Sequence, residues 1–436
     1  MLKIKKTEKK EKSAKKIKKE FFQSPRGMPD ILPVEQPWWD KILTVGQDLV
    51  GLYDFARIET PILEPVGIFE KSLGEATDVL EKQMFIVKTK SGDRLAMRPE
   101  ATASIIRAYL QHHLSYGQQP LKLYYYGPMF RYEHPQAGRF RQFHQFGFEI
   151  IGDADPLYDA QIILLFCRFL QLLKIPNLTP QINTIGCRVC RQHYLRRLKD
   201  YYSRLKSKIC KNCQRRLEIN PLRLLDCKEA ECSQLKLGAP NILDNLCQAC
   251  NNHFRAVLEH LEENKLVYEP NPFLVRGLDY YSRTVFEILG GPEKLAVASG
   301  GRYDYLSEMI GPRIVPAVGG ALGMERVVEI MKTENTLTVK TPAKVYFIAI
   351  GEQAKKAGLR IMEELRCSGI KIAESLGKDS LTAQLGAADK AKARLALIFG
   401  QKEVFEESII IRDMTSGAQE NVVLSKVVED VKKRLK

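Results

Sequence analysis

The sequence predicts an α+β protein in two parts. A large unit built on antiparallel strands carries a cysteine-rich insertion, and a small α/β unit with a mixed sheet follows. Three observations predict this. Two β-rich runs, residues 121–126 and 140–151, flank His134-Pro135-Gln136-Ala137-Gly138, the pattern of paired strands with a polar loop at their tip. Eight of the ten cysteines fall within residues 187–250, inside a Lys- and Arg-rich stretch, 187–264, that interrupts the surrounding pattern until Phe273. From Lys344 onward, strand and helix patterns alternate.

Taken in order, residues 36–52 read as an amphipathic helix with Trp38, Trp39, Ile42, Leu43, Leu49 and Val50 on its apolar stripe. Residues 57–63 read as extended, with Pro61 confining them to a sheet edge or strand end. After the paired runs, 157–174 reads as a helix and 180–185 as a strand. Residues 315–324 are glycine-rich and lead into a helix near Glu325, and 333–343, with Pro342, read as a linker. In the last part, strands are expected at 345–350, 370–373, 395–399 and 409–412, and helices at 353–366, 381–389 and 424–435.

The chain of 436 residues carries a formal charge of +15, which favours a polyanionic partner. Residues 1–19 hold ten lysines against two glutamates. So little apolar surface cannot offset the entropy of ordering, and this stretch reads as a flexible arm. No apolar region of signal-peptide type follows the lysines, and no run reaches the ~18 apolar residues of a membrane span. A cytoplasmic location is expected.

The chemistry concentrates in three places. Phe130-Arg131-Tyr132-Glu133 and Arg139-Phe140-Arg141-Gln142-Phe143 bring arginines, a carboxylate and an aromatic to one strand–loop–strand. Arginine grips phosphate as a planar fork, a carboxylate accepts from an exocyclic amine, and Phe stacks on a purine. Val318-Gly319-Gly320-Ala321-Leu322-Gly323-Met324-Glu325-Arg326 is a small-residue strand feeding a helix whose Arg326 is placed to reach a terminal phosphate. Residues 53–65 form a helix end and a strand closing on Pro65. In this order the three segments resemble motifs 1, 2 and 3 of the class II aminoacyl-tRNA synthetases.

Further segments narrow the resemblance to the histidyl-tRNA synthetase family: Arg26-Gly27-Met28-Pro29-Asp30, Arg98-Pro99-Glu100-Ala101-Thr102, Phe143-His144-Gln145, Leu274-Val275-Arg276-Gly277-Leu278-Asp279-Tyr280-Tyr281 and Gly300-Gly301-Arg302-Tyr303-Asp304. The resemblance implies a catalytic domain at 20–332 with the insertion at 187–264, and an anticodon-binding domain at 344–436. It implies ATP with Mg²⁺, L-histidine and tRNA(His) as ligands, and a homodimer built through motif 1. Arg131 then holds the α-phosphate and the histidine carboxylate, and Glu133 reads the adenine over Phe143. Arg139 and Arg326 take the β- and γ-phosphates, while Arg276 neutralises charge at the α-phosphate. Glu100, Thr102 and Gln145 hold the α-amino group, and Glu149, Tyr280, Tyr281 and Tyr303 line the imidazole pocket. A paralogue of the same fold regulates ATP phosphoribosyltransferase; it lacks the anticodon-binding domain and has degraded ATP-binding arginines. Here residues 344–436 and Arg131, Arg139, Arg276 and Arg326 are all in place.

The cysteines run Cys187-x2-Cys190-x19-Cys210-x2-Cys213, then Cys227-x4-Cys232-x14-Cys247-x2-Cys250. Four short-spaced pairs suit two tetrahedral Zn²⁺ sites, or one site plus spare thiols, and the first four fit a zinc-ribbon spacing. Spacing leaves open which pairs share a metal.

Overall fold

The computed structural model describes residues 22–73, 83–133, 138–336, 344–377 and 380–435. The lysine-rich arm, the loop tip 134–137 and most of the expected linker lie outside these residues. The described chain forms two compact units, residues 22–336 and 344–435.

The first unit opens with α1 (Gln36–Tyr53), the short strands β1 (Ala56–Arg57) and β2 (Leu63–Pro65), and α2 (Val66–Leu73). Then come β3 (Ile86–Lys88), β4 (Arg94–Met97), α3 (Thr102–Gln111), β5 (Leu121–Phe130), β6 (Gln142–Ile151), α4 (Pro156–Leu172) and β7 (Thr179–Thr184). The insertion is helical, with α5 (Arg188–Ser203), α6 (Lys211–Ile219), α7 (Ala230–Leu235) and α8 (Gln248–Glu263). The core resumes with β8 (Glu269–Pro270), β9 (Ser282–Gly290), β10 (Leu295–Arg302), α9 (Leu306–Ile310), β11 (Ala317–Gly323) and α10 (Met324–Thr333).

Eight strands form one sheet in the order β1-β5-β6-β11-β10-β9-β7-β8, and β2-β4-β3 form a small second sheet. All pairings from β5 across to β7 are antiparallel. The expected extended run 57–63 is split between the two sheets. β1 is a two-residue parallel edge on β5, whereas β2 joins β4. Pro61 sits between them, where a missing N–H interrupts no ladder. After the insertion the two-residue β8 is followed by an irregular stretch through Phe273, and the long strands resume only with β9 at Ser282.

Alternation along the central strands separates core from site. On β6, Phe146, Phe148 and Ile150 point into an apolar core shared with Ile42 and Leu49 of α1 and Ile163, Phe166 and Phe169 of α4. Val318 and Leu322 of β11 and Phe286 and Ile288 of β9 continue that face. The alternate residues, Phe143, Gln145, Gly147 and Glu149 on β6, Gly319, Ala321 and Gly323 on β11, Ser299 on β10 and Glu287 on β9, face the other way and lie in register. That second face is small and polar where the first is bulky and apolar.

The second unit holds β12 (Lys344–Ala349), α11 (Glu352–Cys367), β13 (Ile372–Glu374), α12 (Leu381–Lys390), β14 (Ala393–Phe399), α13 (Gln401–Phe405), β15 (Ser408–Asp413), β16 (Gln419–Val423) and α14 (Val427–Leu435). Its sheet order is β13-β12-β14-β15-β16. β12 pairs parallel with both β13 and β14, and the last two pairings are antiparallel, a mixed sheet. Val345, Phe347, Leu395, Leu397, Ile409 and Ile411 supply its core with Ile361 and Leu365 of α11. Lys371, Lys390, Lys392 and Arg394 belong to this unit; Lys378 lies outside the described residues.

Candidate active site

The polar face of the large sheet floors a cleft of about 910 Å³. Arg131, Glu133, Arg139, Phe143, Gln145, Arg276 and Arg326 all line it. Guanidinium groups from three distant stretches of sequence therefore share one cavity. Burial lowers the pKa of Arg326, and the neighbouring Arg139 cation lowers it further. Cations pressed together at a cleft wall favour an anionic ligand.

Each arginine is aimed by a specific partner. Arg276 donates from Nη1 to Glu287 Oε1 at 3.1 Å and from Nη2 to Ser299 Oγ at 2.6 Å, while its buried Nε has no hydrogen-bond partner. Arg131 Nε donates to the Pro99 carbonyl at 2.9 Å, and its guanidinium lies 5.1 Å from the Phe143 ring centroid. Arg326 Nη1 donates to the Ala296 carbonyl at 2.7 Å. Arg139 is more exposed and stands 3.7 Å from Glu133. Gly323 has open space where a Cβ would stand. His144 turns away, its ring and backbone N–H both meeting Glu325 of α10 at 2.8–2.9 Å.

Behind the cleft, Glu100, Thr102, Glu149, Tyr280, Tyr281 and Tyr303 are buried together and do not line its wall. Glu100 caps α3, accepting from the backbone N–H of Thr102 at 2.6 Å and of Ala103 at 3.0 Å. Glu149 accepts from Thr102 Oγ1 at 2.7 Å and from the Tyr303 hydroxyl. The Tyr280 and Tyr281 rings pack at a tilt, with centroids 4.6 Å apart and 41° between their planes. Gln145 Oε1 is buried without a hydrogen-bond partner. In a satisfied interior such an atom is rare, and it marks a place where a ligand donor fits.

The small residues of β11 serve two purposes. Sequence reasoning assigns them to ligand approach, which the open Gly323 suits. Gly319 does something else: a Cβ there would stand 1.6 Å from Glu149 Oε2. Its hydrogen is what leaves room for the buried carboxylate. Sequence reasoning also missed Tyr125, Glu287 and Ser299. Tyr125 is buried beside Glu149, and Gly147 accommodates its ring, with a Cβ there meeting it at 2.3 Å. Glu287 had a visible signal, as the lone charge in Thr284-Val285-Phe286-Glu287-Ile288-Leu289.

Desolvation pushes the Glu149 carboxyl up to about 8, against the lowering effect of its hydrogen bonds to Tyr303 and Thr102, and Glu100 pushes it further up. Burial likewise raises Glu100, with nearby Arg131 among the opposing influences. A folded-state pKa raised above the unfolded value adds stability that is whole below about 4.5 and is lost as pH rises through about 8. The ligand-free protein is thus expected to lose thermal stability across that window. Glu149→Gln should flatten the loss by several °C at pH 8.5. Parallel pH–melting curves for the two proteins would refute this.

The cysteines form two quartets among the described residues. Cys187, Cys190, Cys247 and Cys250 make one, and Cys210, Cys213, Cys227 and Cys232 the other, with ligand atoms within 4.8 Å of one another in each. The first four cysteines in sequence therefore do not share a site, contrary to the zinc-ribbon spacing. The pairs are nested, outer with outer and inner with inner, because the starts of α5 and α8, the first and last helices of the insertion, come together. The Sγ atoms of Cys187 and Cys190 lie 3.7 Å apart, and those of Cys210 and Cys227 3.9 Å. Four sulfurs at the Zn–S distance around a tetrahedral ion stand ~3.8 Å apart. Backbone N–H groups already point at sulfur, Cys247 to Cys190 at 3.0 Å and Cys210 to Cys232 at 3.3 Å. These donors suit thiolates. Either quartet can hold a metal.

Comparison with known proteins places this geometry. The model of the histidyl-tRNA synthetase family matches residues 27–191 and 214–327, and that of the anticodon binding domain matches 344–434. The chain is 42% identical over 418 residues to the histidine--tRNA ligase of Dehalococcoides mccartyi, covering 95% of this chain and all of that one. It is 42% identical over 415 residues to that of Desulforudis audaxviator, covering 95% and 99%. The apo histidyl-tRNA synthetase of S. aureus superposes with a TM-score of 0.77 at 30% identity, over 94% of this chain and 100% of that one. Both family models, near-full-length identity and a shared class II fold agree, and the chain belongs to the histidyl-tRNA synthetase family.

Proposed function

We propose that the cleft holds ATP, that the buried cluster behind it receives histidine, and that adenylate forms where the two meet. The overall reaction is that of the family: histidine is activated with ATP to histidyl-adenylate and passed to the 3′ end of tRNA(His), releasing pyrophosphate and AMP. The observation that carries this reading is the convergence of Arg131, Arg139, Arg276 and Arg326 on one cleft.

The histidine carboxylate attacks the α-phosphorus in line with departing pyrophosphate, a step that needs positioning and charge cancellation rather than covalent help. Arg131 and Arg276 flank the α-phosphate, and Arg139 and Arg326 take the β- and γ-phosphates. Glu133 accepts from the adenine amine, with Phe143 against the ring. Mg²⁺ carried in with ATP would supply further neutralisation of the leaving phosphates. Gln145 offers its free Oε1 to the α-amino group beside Glu100 and Thr102. Glu149, Tyr280, Tyr281 and Tyr303 contact the imidazole, so an amino acid without donor and acceptor leaves buried groups unpaired.

Residues 20–332 act as the catalytic domain, 187–264 as its insertion and 344–436 as the anticodon-binding domain. Each cysteine quartet would hold a structural Zn²⁺, adding folding free energy to that of the buried Leu198, Tyr202, Leu217 and Leu224 of the same segment. The working form is a cytoplasmic homodimer, and no described helix is long and apolar enough to cross a membrane.

Histidine-dependent exchange of pyrophosphate into ATP tests the reading. The purified chain is expected to exchange with histidine and not with the other amino acids. A protein that binds histidine without exchange would instead be a sensor like the regulatory paralogue, and the proposal would fail.

A further inference from the structure

We infer that the insertion is a brace for the irregular segment 273–281, with each cysteine quartet anchoring one arm of it. The inference rests on the metal reading given above.

The segment carries Arg276, Tyr280 and Tyr281, yet it lies in neither helix nor strand. Its carbonyls therefore need side-chain partners to hold a fixed path. The core supplies one at the upstream end, where Asn183 Nδ2 donates to the Leu274 carbonyl at 2.9 Å. Downstream, the insertion reaches three more, those of Arg276, Asp279 and Tyr281. Arg191 Nη1 donates to the carbonyls of Asp279 at 3.0 Å and Tyr281 at 3.2 Å, and its Nη2 stands 3.7 Å from Asp279 Oδ1. Asn220 Nδ2 donates to Asp279 Oδ1 at 2.8 Å. Arg223 Nη1 reaches the Arg276 carbonyl at 3.4 Å.

These donors sit where the quartets put them. Arg191 follows Cys190 in the first turn of α5, and the Cys187–Cys190–Cys247–Cys250 quartet pins that turn to the start of α8. Asn220 and Arg223 lie between Cys213 and Cys227, so the second quartet closes both ends of the loop that presents them. The two arms meet on Asp279, three residues from Arg276 and two from Tyr281. Arg191 and Asn220 are positioning residues: they act on the site through the backbone they hold.

The test compares Arg191→Ala, Arg191→Lys and Asn220→Ala with Lys199→Ala, an insertion-surface control whose side chain pairs with Glu218. Three readouts are taken on the full-length protein: zinc per chain, pyrophosphate exchange with histidine titrated, and amide hydrogen exchange of the peptide spanning 276–281. Arg191→Ala and Asn220→Ala are expected to retain two zinc ions and lose about tenfold or more in kcat/KM for histidine. Amide exchange should speed up in 276–281 and not in the sheet. Arg191→Lys should recover part of the loss, and Lys199→Ala should match wild type. Chelating the zinc from wild type should speed exchange in the same peptide. If Arg191→Ala does not fold, the milder Asn220→Ala carries the test. Wild-type kinetics together with unchanged exchange in 276–281 would overturn the brace. Absence of zinc from the purified protein would overturn the metal sites, a result read independently of the kinetics.

Discussion

Arg276→Ala should lower histidine-dependent pyrophosphate exchange by about 10³-fold, chiefly in kcat. The argument is electrostatic and geometric. Negative charge grows on the α-phosphate as the carboxylate attacks, and Arg276 is held toward the cleft by Glu287 and Ser299 before any substrate arrives. A preorganised cation costs no reorganisation at the moment of reaction. Arg276→Lys should restore little, because an ammonium cannot satisfy Glu287, Ser299 and a phosphate from one planar fork. Ser299→Ala should fall between, since it loosens the guanidinium without removing it. Steady-state exchange at saturating ATP and histidine measures all three. A loss under tenfold for Arg276→Ala would remove this residue from the chemistry.

That cleft was legible in the sequence because its residues come in short local segments with unusual chemistry. Arg131 and Arg139 flank the loop between β5 and β6, Arg276 lies in an irregular stretch and Arg326 in the first turn of α10, each inside a short motif that can be read without the fold. The pairing of cysteines was not legible. Spacing reports which thiols are near in sequence, while the joining of Cys187–Cys190 with Cys247–Cys250 depends on where α5 and α8 begin. Gly319 was legible as small but not for its reason, which requires the register that sets it opposite Glu149. The strands β3 and β4 escaped notice because three or four residues carry no readable period. β16 escaped because only Val422 of its five residues is buried, as befits an edge. Arg302 fell within a recognised segment, but its partner Asp159 lies far away on a helix whose apolar pattern gave no hint of a charge at its buried face.

That partner leads to the largest expected stability effect. Asp159 and Arg302 are both fully buried and joined directly through both Nε and Nη2 of the guanidinium. Burial opposes the Asp159 charge, but Arg302, then His253, outweigh it and hold its pKa down; the Arg302 pKa is raised in turn. Arg302 Nη1 also reaches Asp304 at 3.2 Å and the Asp153 carbonyl at 3.0 Å, and His253 of α8 meets Asp159 at 3.3 Å. One carboxylate thus ties α4, the end of β10 and the last helix of the insertion together. Asp159→Ala leaves a buried guanidinium with Asp304 as its remaining carboxylate, and is expected to destabilise the large unit by about 3–5 kcal/mol. The urea midpoint of that unit's transition should fall while its slope holds. Adding Arg302→Met should recover most of the loss, because an apolar chain of similar length carries no charge to strand. If the double variant were no more stable than Asp159→Ala alone, the stranded charge would not be the cause. The loss would then belong to the hydrogen bonds that Asp159 and Arg302 make to their neighbours, and His253→Ala should reproduce a share of it.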